Sequence, residues 1–267
     1  MSFLDMGDPH RPIAAVFLHA NGFNALTYRQ ILAPLAMSYR LLAIDQRGHG
    51  DTTLEADGEG RGDWLDLRDD LLAFLVAMNL TQVVLTGHSM GGAASLLAAS
   101  LEPARCRRLV LFDPVIIPPI DGPAPSESPL VQGARRRRAV FPDRQAAVAS
   151  YRGRGAFKTW PDGVLTDYVA GGFHDLPTGE VTLACSPAWE ASGFVVAGPE
   201  AWMALRAPPC ATEIVRAESG STCRLDGIDL CAEPLVTIST QPGSTHFLPM
   251  EFPALVQDTL ARAMGPP

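Results

Sequence analysis

The chain has 267 residues, enough for one α/β domain or for one core with a sizeable insertion. Hydrophobic residues make up 47% and charged residues only 19%, which excludes a disordered or coiled-coil chain. A formal net charge of −8 argues against nucleic acid or an anionic membrane as partner, since both need clustered cations.

The N-terminal stretch MSFLDMGDPHRP has no basic region followed by an apolar one, so no signal peptide is expected. No run of roughly 18 apolar residues predicts a spanning helix. A cytoplasmic protein, monomeric or homodimeric, is the expectation. Residues 13–18 (IAAVFL) form a continuous apolar run that predicts a buried strand, and His19-Ala20-Asn21-Gly22 predicts a tight loop after it. Residues 25–37 carry helical spacing, with Pro34 predicting a kink or an early end. Residues 40–45 (RLLAID) read as the next strand and run into the turn Gln46-Arg47-Gly48-His49-Gly50. Residues 63–80 place five apolar side chains on one helical face, with Asp63 as the expected cap.

Residues 82–86 (QVVLT) predict a strand, Gly87-His88-Ser89-Met90-Gly91-Gly92 a sharp turn, and 93–101 a small-residue helix. Leu109-Val110-Leu111-Phe112 is another strand, ending at Asp113-Pro114. The alternation predicts a mainly parallel sheet with helices on both faces. From 116 to 205 the rhythm is lost: prolines, short helical patterns and the run Arg135-Arg136-Arg137-Arg138 predict an inserted, mostly helical cap. Strands return at 212–215 and 235–238, and a last amphipathic helix is expected over 253–264. The expected core is therefore 1–115 plus 206–267.

The five cysteines (Cys106, Cys185, Cys210, Cys223 and Cys231) are scattered and form no CxxC pair, so no zinc or redox site and no disulfide framework is implied. Reduced, mostly buried thiols are expected, and no metal or cofactor is called for.

The turn at 87–91 carries the chemistry. Gly87-His88-Ser89-Met90-Gly91 fits G-x-S-x-G, and it follows a strand and opens a helix, the context that motif needs. Small residues at 87 and 91 relieve the crowding of a strained turn, so the Ser89 hydroxyl projects from the C-terminal edge of the sheet. The amide of Met90 stands at a helix N-terminus, where negative charge is favoured. No Gly-Lys-Ser/Thr sequence follows, which excludes a P-loop.

A serine needs a base. In the chain order serine, acid, histidine, only His174 and His246 follow Ser89. His174 falls in the expected cap, whereas His246 follows the last strand, so His246 is the expected base. The acid is expected at Asp113, which ends a buried strand at the catalytic edge, with Asp226 and Glu218 as alternatives. A second oxyanion donor is expected from the amide of Asn21, working with that of Met90, while His19 is expected to brace the loop.

Four motifs together resemble the α/β-hydrolase superfamily in its cap-bearing branch: His19-Ala20-Asn21-Gly22-Phe23, Asp45-Gln46-Arg47-Gly48-His49-Gly50, Gly87-His88-Ser89-Met90-Gly91-Gly92 and Gly243-Ser244-Thr245-His246. Two departures stand out. Ala20 replaces the usual glycine, and Ala217-Glu218-Ser219-Gly220 has glycine where the family's acid commonly sits. Some members carry the acid after the preceding core strand, and Asp113 matches that position. The resemblance implies an α/β-hydrolase fold and a serine esterase acting on a small ester-like molecule. Lactone, thioester or C–C bond hydrolysis with the same triad, or a non-catalytic binding protein on this fold, are the alternatives. Phe23, Trp160 and Phe247 are the expected substrate-lining residues. Arg135 to Arg138 read either as a clamp for an acidic substrate or as a solvated helix face. Epoxide hydrolysis and dehalogenation need a carboxylate nucleophile, which Ser89 is not.

Overall fold

The computed structural model describes residues 1–59, 61, 63–119, 127–195, 199–229 and 234–266. Its strands are β1 (Phe3–Met6), β2 (Ile13–Leu18), β3 (Arg40–Ile44), β4 (Val83–His88), β5 (Cys106–Phe112), β6 (Val140–Phe141), β7 (Phe173–Asp175), β8 (Val181–Leu183), β9 (Thr212–Ser219) and β10 (Val236–Thr245). Its α-helices are α1 (Arg29–Leu32), α2 (Leu65–Ala77), α3 (Met90–Leu101), α4 (Pro129–Arg135), α5 (Arg144–Tyr151), α6 (Asp162–Gly171), α7 (Pro187–Val195), α8 (Glu200–Leu205), α9 (Leu248–Glu251) and α10 (Pro253–Met264).

Seven strands form one sheet in the order β1-β3-β2-β4-β5-β9-β10. β1 runs antiparallel to β3, and every other pairing is parallel. All six residues of β4 are buried, as a strand covered on both faces requires. Alternate residues feed two separate cores. Ala15, Phe17, Val110 and Phe112 pack with α1, α10 and the segment between β5 and β9. Val16, Leu18, Leu109 and Leu111 pack with α2, α3 and α8. The strand order reverses between β2 and β4, so the loops leaving these two strands diverge and open a crevice at their C-terminal ends. Those loops are 19–24 and the Ser89 turn.

Several expectations need revision. The helix expected over 25–37 is broken into 3-10 turns at Ala25–Tyr28 and Ala33–Met37 with α1 between them, Pro34 standing at the head of the second turn. Trp64, not Asp63, is the N-cap of α2; Asp63 Oδ1 instead accepts from Leu65 N at 3.0 Å. β9 continues past Val215 to Ser219, because its second half pairs with β10 where β5 has ended. Glu218 therefore lies on a strand rather than in a loop.

The segment between β5 and β9 is not purely helical. It holds a three-stranded antiparallel sheet, β6-β8-β7, beside α4 to α8. Strands as short as Val140–Phe141 leave no readable period. Trp160, Tyr168, Phe141 and Val181 of this segment share one apolar cluster with Phe17 and Phe23. The four consecutive arginines go separate ways. Arg135 and Arg138 stay at the surface, over Glu127 and the Phe141 ring, whereas Arg137 turns inward to Glu190 and donates to Tyr168 Oη at 2.6 Å. A single solvated face does not describe them.

Candidate active site

Ser89 sits at φ 57°, ψ −121°, a strained backbone held between β4 and α3. The flanking glycines are there for space. A Cβ on Gly91 would lie 2.4 Å from Leu18 O, and one on Gly87 would lie 2.5 Å from the Gly91 carbonyl carbon. The turn is thus jammed against the end of β2, which brings Ser89 beside the loop at 19–24.

His246 follows β10, and its ring reaches both partners. Nε2 lies 3.0 Å from Ser89 Oγ, and Nδ1 lies 2.6 Å from Asp113 Oδ2. Facing a carboxylate, Nδ1 carries the proton, which leaves Nε2 free to accept from the serine hydroxyl. Asp113 is fully buried, at φ 40°. Its Oδ1 accepts from Ala217 N at 2.9 Å and Ser221 Oγ at 2.6 Å, and its Oδ2 accepts from Thr222 N at 3.0 Å. Burial works against ionisation, but the hydrogen bond and charge of His246, with Ser221 and Ala217, outweigh it and lower the carboxyl to about 2.

The loop after β9 therefore supplies donors to the Asp113 carboxylate in place of an acid of its own. Ser221 and Thr222 were not singled out from sequence; two adjacent hydroxyl residues just past Gly220 were the available signal. The alternatives stand elsewhere. Glu218 Oε2 accepts from Gly243 N at 2.9 Å, Asp226 faces Arg224 at 3.7 Å, and His174 Nε2 donates to Gly50 O at 2.9 Å.

The 19–24 loop is braced from below by the turn after β3. His19 Nδ1–H donates to Ala20 O at 2.8 Å, and Nε2 accepts from Gln46 N at 3.0 Å. Gly22 N donates to His49 Nε2 at 3.0 Å. Ala20 N is taken by Tyr28 Oη at 3.2 Å. The amide of Asn21, between these two, has no protein acceptor among the described residues, and that of Met90, first in α3, has none within its helix. The Asn21 side chain is anchored through Nδ2 to Glu190 O at 2.8 Å, so α7 grips the loop from above.

A second relay was not foreseen. Tyr28 Oη lies 2.7 Å from His88 Nδ1, and His88 Nε2 lies 2.7 Å from the carbonyl oxygen of His246. A carbonyl only accepts, so Nε2 carries the proton and Tyr28 donates to Nδ1. The backbone of His246 is thereby tied to the 19–24 loop through fully buried groups. Tyr28→Phe leaves His88 Nδ1 and Ala20 N without partners, and we expect a loss of about 1–3 kcal/mol in urea unfolding. An unchanged midpoint and slope would count against the relay.

Burial holds His19 down at about 4. Burial first, then the His246 charge, takes His88 to about 3. Both rings are neutral in the fold but titrate near 6.5 when unfolded. The unfolded chain therefore binds more protons between these values. The stabilisation is complete above about pH 6.5 and is lost as pH falls, at about 2 kcal/mol per histidine by pH 5. Asp113 adds its own loss only below about pH 4, as its lowered carboxyl protonates. Melting curves from pH 8 to 4.5 are expected to show Tm level above pH 7 and declining below 6.5. Equal Tm at pH 7 and pH 5 would contradict this.

Phe23, Trp160 and Phe247 meet beside His246. Phe23 stands edge-on to Trp160, with ring centroids 5.1 Å apart, and lies 6.2 Å from Phe247, whose ring is 5.6 Å from that of His246.

This arrangement defines a class: α/β proteins that hold a serine on a strand–turn–helix elbow in line with a histidine and a carboxylate carried by loops after later strands. The sequence profile of the alpha/beta hydrolase family matches residues 15–259, and the chain belongs to that family. It is similar to the sn-1-specific diacylglycerol lipase ABHD11 of Mus musculus, at 34% identity over 112 residues, covering 40% of this chain and 34% of the relative. It is also similar to the 2-(acetamidomethylene)succinate hydrolase of Mesorhizobium japonicum, at 28% over 98 residues, covering 37% and 34%. A 78-residue stretch is 42% identical to the dihydrolipoyllysine-residue acetyltransferase component of the acetoin cleaving system of Pseudomonas putida, covering 29% of this chain and 20% of the relative. The matches thus span about a fifth to a third of these relatives. Among solved structures, a thioesterase domain from the curacin biosynthetic pathway superposes with a TM-score of 0.77 at 18% identity, over 97% of this chain and 94% of that one. E-2-(acetamidomethylene)succinate hydrolase superposes with a TM-score of 0.75 at 20% identity, over 97% and 93%. These two likenesses concern the fold. No helix among the described residues is long and apolar enough to cross a membrane.

Proposed function

We propose that this protein is a serine hydrolase that cleaves carboxylic-ester bonds of small apolar substrates through an acyl-serine intermediate. The reading rests on one observation: His246 lies within hydrogen-bond reach of both Ser89 and the buried Asp113. Ser89 Oγ attacks the carbonyl carbon while His246 Nε2 takes its proton. Asp113 keeps Nδ1 protonated and stabilises the imidazolium. The developing oxyanion is met by the amides of Asn21 and Met90. His246 then protonates the departing alkoxide, and the acyl group stays on Ser89. Water, losing a proton to the same Nε2, releases the acid and restores the serine.

Phe23, Trp160 and Phe247 supply an aromatic wall for the acyl or alcohol group, and residues 116–205 act as the cap that closes over the core at 1–115 and 206–267. Lactones and thioesters pass through the same tetrahedral intermediate, so they belong in the substrate panel. The test is a serine-reactive alkyl phosphonate followed by intact-mass and peptide analysis, alongside hydrolysis of p-nitrophenyl acetate and butyrate. We expect one adduct, on Ser89, and turnover of both esters. An unlabelled Ser89 together with no turnover across esters, lactones and thioesters would leave the fold as a binding scaffold and end the enzymatic reading.

A further inference from the structure

Far from Ser89, at the opposite edge of the sheet, two thiols meet. Cys106 begins β5 and Cys210 lies two residues before β9, so both stand at the N-terminal ends of adjacent parallel strands. Their sulfurs are 3.7 Å apart, although 104 positions separate them in sequence. We propose that Cys106 and Cys210 form a redox-modifiable dithiol, which hydrogen peroxide closes into an intramolecular disulfide.

The geometry asks little of the fold. The sulfurs must approach by about 1.7 Å to reach the ~2.05 Å of an S–S bond. The register of β5 on β4 shifts between Val83 and Val84, opposite Cys106 and Arg108, so β5 carries an extra residue there and Cys106 lies beside an irregularity of the pairing, outside its regular part. The two positions also differ in the way that a stepwise oxidation requires. Cys106 is almost fully buried and is held protonated by its contact with Cys210 and by burial. Cys210 is partly exposed. The hydrogen bond from Cys106 lowers its thiol below the ordinary value, outweighing partial burial, and the Arg108 charge acts in the same direction.

Cys210 thiolate attacks one oxygen of the peroxide. The O–O bond breaks, leaving a sulfenic acid on Cys210 and a hydroxide that takes a proton to become water. Cys106 then loses its proton, attacks the Cys210 sulfur and displaces the second hydroxide as water. Two thiols and one peroxide become one disulfide and two waters. The bond would join the two feet of the segment that contains Asp113, the small sheet and α4 to α8. Closing so long a loop restricts the unfolded chain, so Tm should rise by several degrees.

The test uses the whole protein and does not depend on its activity. Reduced protein is treated with hydrogen peroxide, quenched, denatured and assayed for thiols and intact mass. Of the five cysteines, three should remain titratable, with a mass loss of about 2 Da that dithiothreitol reverses. Chymotryptic peptides should show Cys106 linked to Cys210; trypsin is unsuitable because Arg105 and Arg107 flank Cys106. Cys210→Ser should leave Cys106 reduced under the same treatment. The proposal is overturned if the wild-type protein keeps all its thiols or gains oxygen at these positions without a crosslink. A linkage through another cysteine, or unchanged two-thiol loss in Cys210→Ser, overturns it equally.

Discussion

On the proposed function, Ser89→Ala is expected to lower kcat for p-nitrophenyl butyrate by about 10⁶-fold, to a residue of activity supported by binding and the proposed oxyanion amides alone. The variant should fold normally, because among the described residues Ser89 Oγ has its only side-chain hydrogen bond with His246 Nε2, and alanine tolerates the same backbone as serine. Tm should therefore move by no more than a few degrees. Stopped-flow and long-incubation assays check the rate ratio and thermal melts of the same preparation check the Tm, while an active-site titration with the phosphonate guards against traces of wild type. If the variant hydrolyses the ester at the wild-type rate, Ser89 is not the nucleophile and the reaction needs another account.

On the same reading, Asp113→Asn is expected to lower kcat by about 10⁴-fold. The loss follows from the donors around the carboxylate: Ala217 N, Ser221 Oγ, Thr222 N and His246 Nδ1 all point at its two oxygens. An amide can offer only one oxygen to them. If the NH₂ group faces His246, the ring must present Nδ1 as acceptor, and Nε2 then carries a proton and cannot take the one on Ser89. If it faces Ala217 and Ser221, two donors meet a third, and folding loses about 1–3 kcal/mol. Parallel variants separate the candidates for the acid. Glu218→Gln and Asp226→Asn should each change kcat less than about twofold, since Glu218 bonds Gly243 and Asp226 faces Arg224. A loss of several orders in either of these, with Asp113→Asn near wild type, would reassign the acid.

What could be read directly was whatever a short stretch of chain decides for itself. An apolar run buried on both faces, a strand that must turn sharply at a serine between glycines, and a histidine just beyond the last strand are each visible within a few residues. Those stretches were enough to name the fold, to single out Ser89 and His246 as candidates, and to place Asn21 in the loop after β2 and Met90 at the start of α3. Strand ends were less legible. β9 runs on to Ser219 only because β10 lies beside it, and no pattern within 212–219 announces that neighbour.

The three-dimensional arrangement decided which distant groups serve one another. Asp113 is cradled by Ser221 and Thr222 because the adjacent β5 and β9 end at different heights, so the loop after the longer strand folds back over the shorter one. Tyr28, which reads only as an apolar helical residue, ties the 19–24 loop to His246 through His88. Arg137 separates from its three neighbours to meet Glu190, and Cys106 meets Cys210 across a strand pairing. Local sterics and hydrophobic period act over a handful of residues and leave their mark in the order of amino acids. Hydrogen-bond partners about 60 to 160 positions apart are chosen by strand register and packing, and these exist only once the sheet has formed.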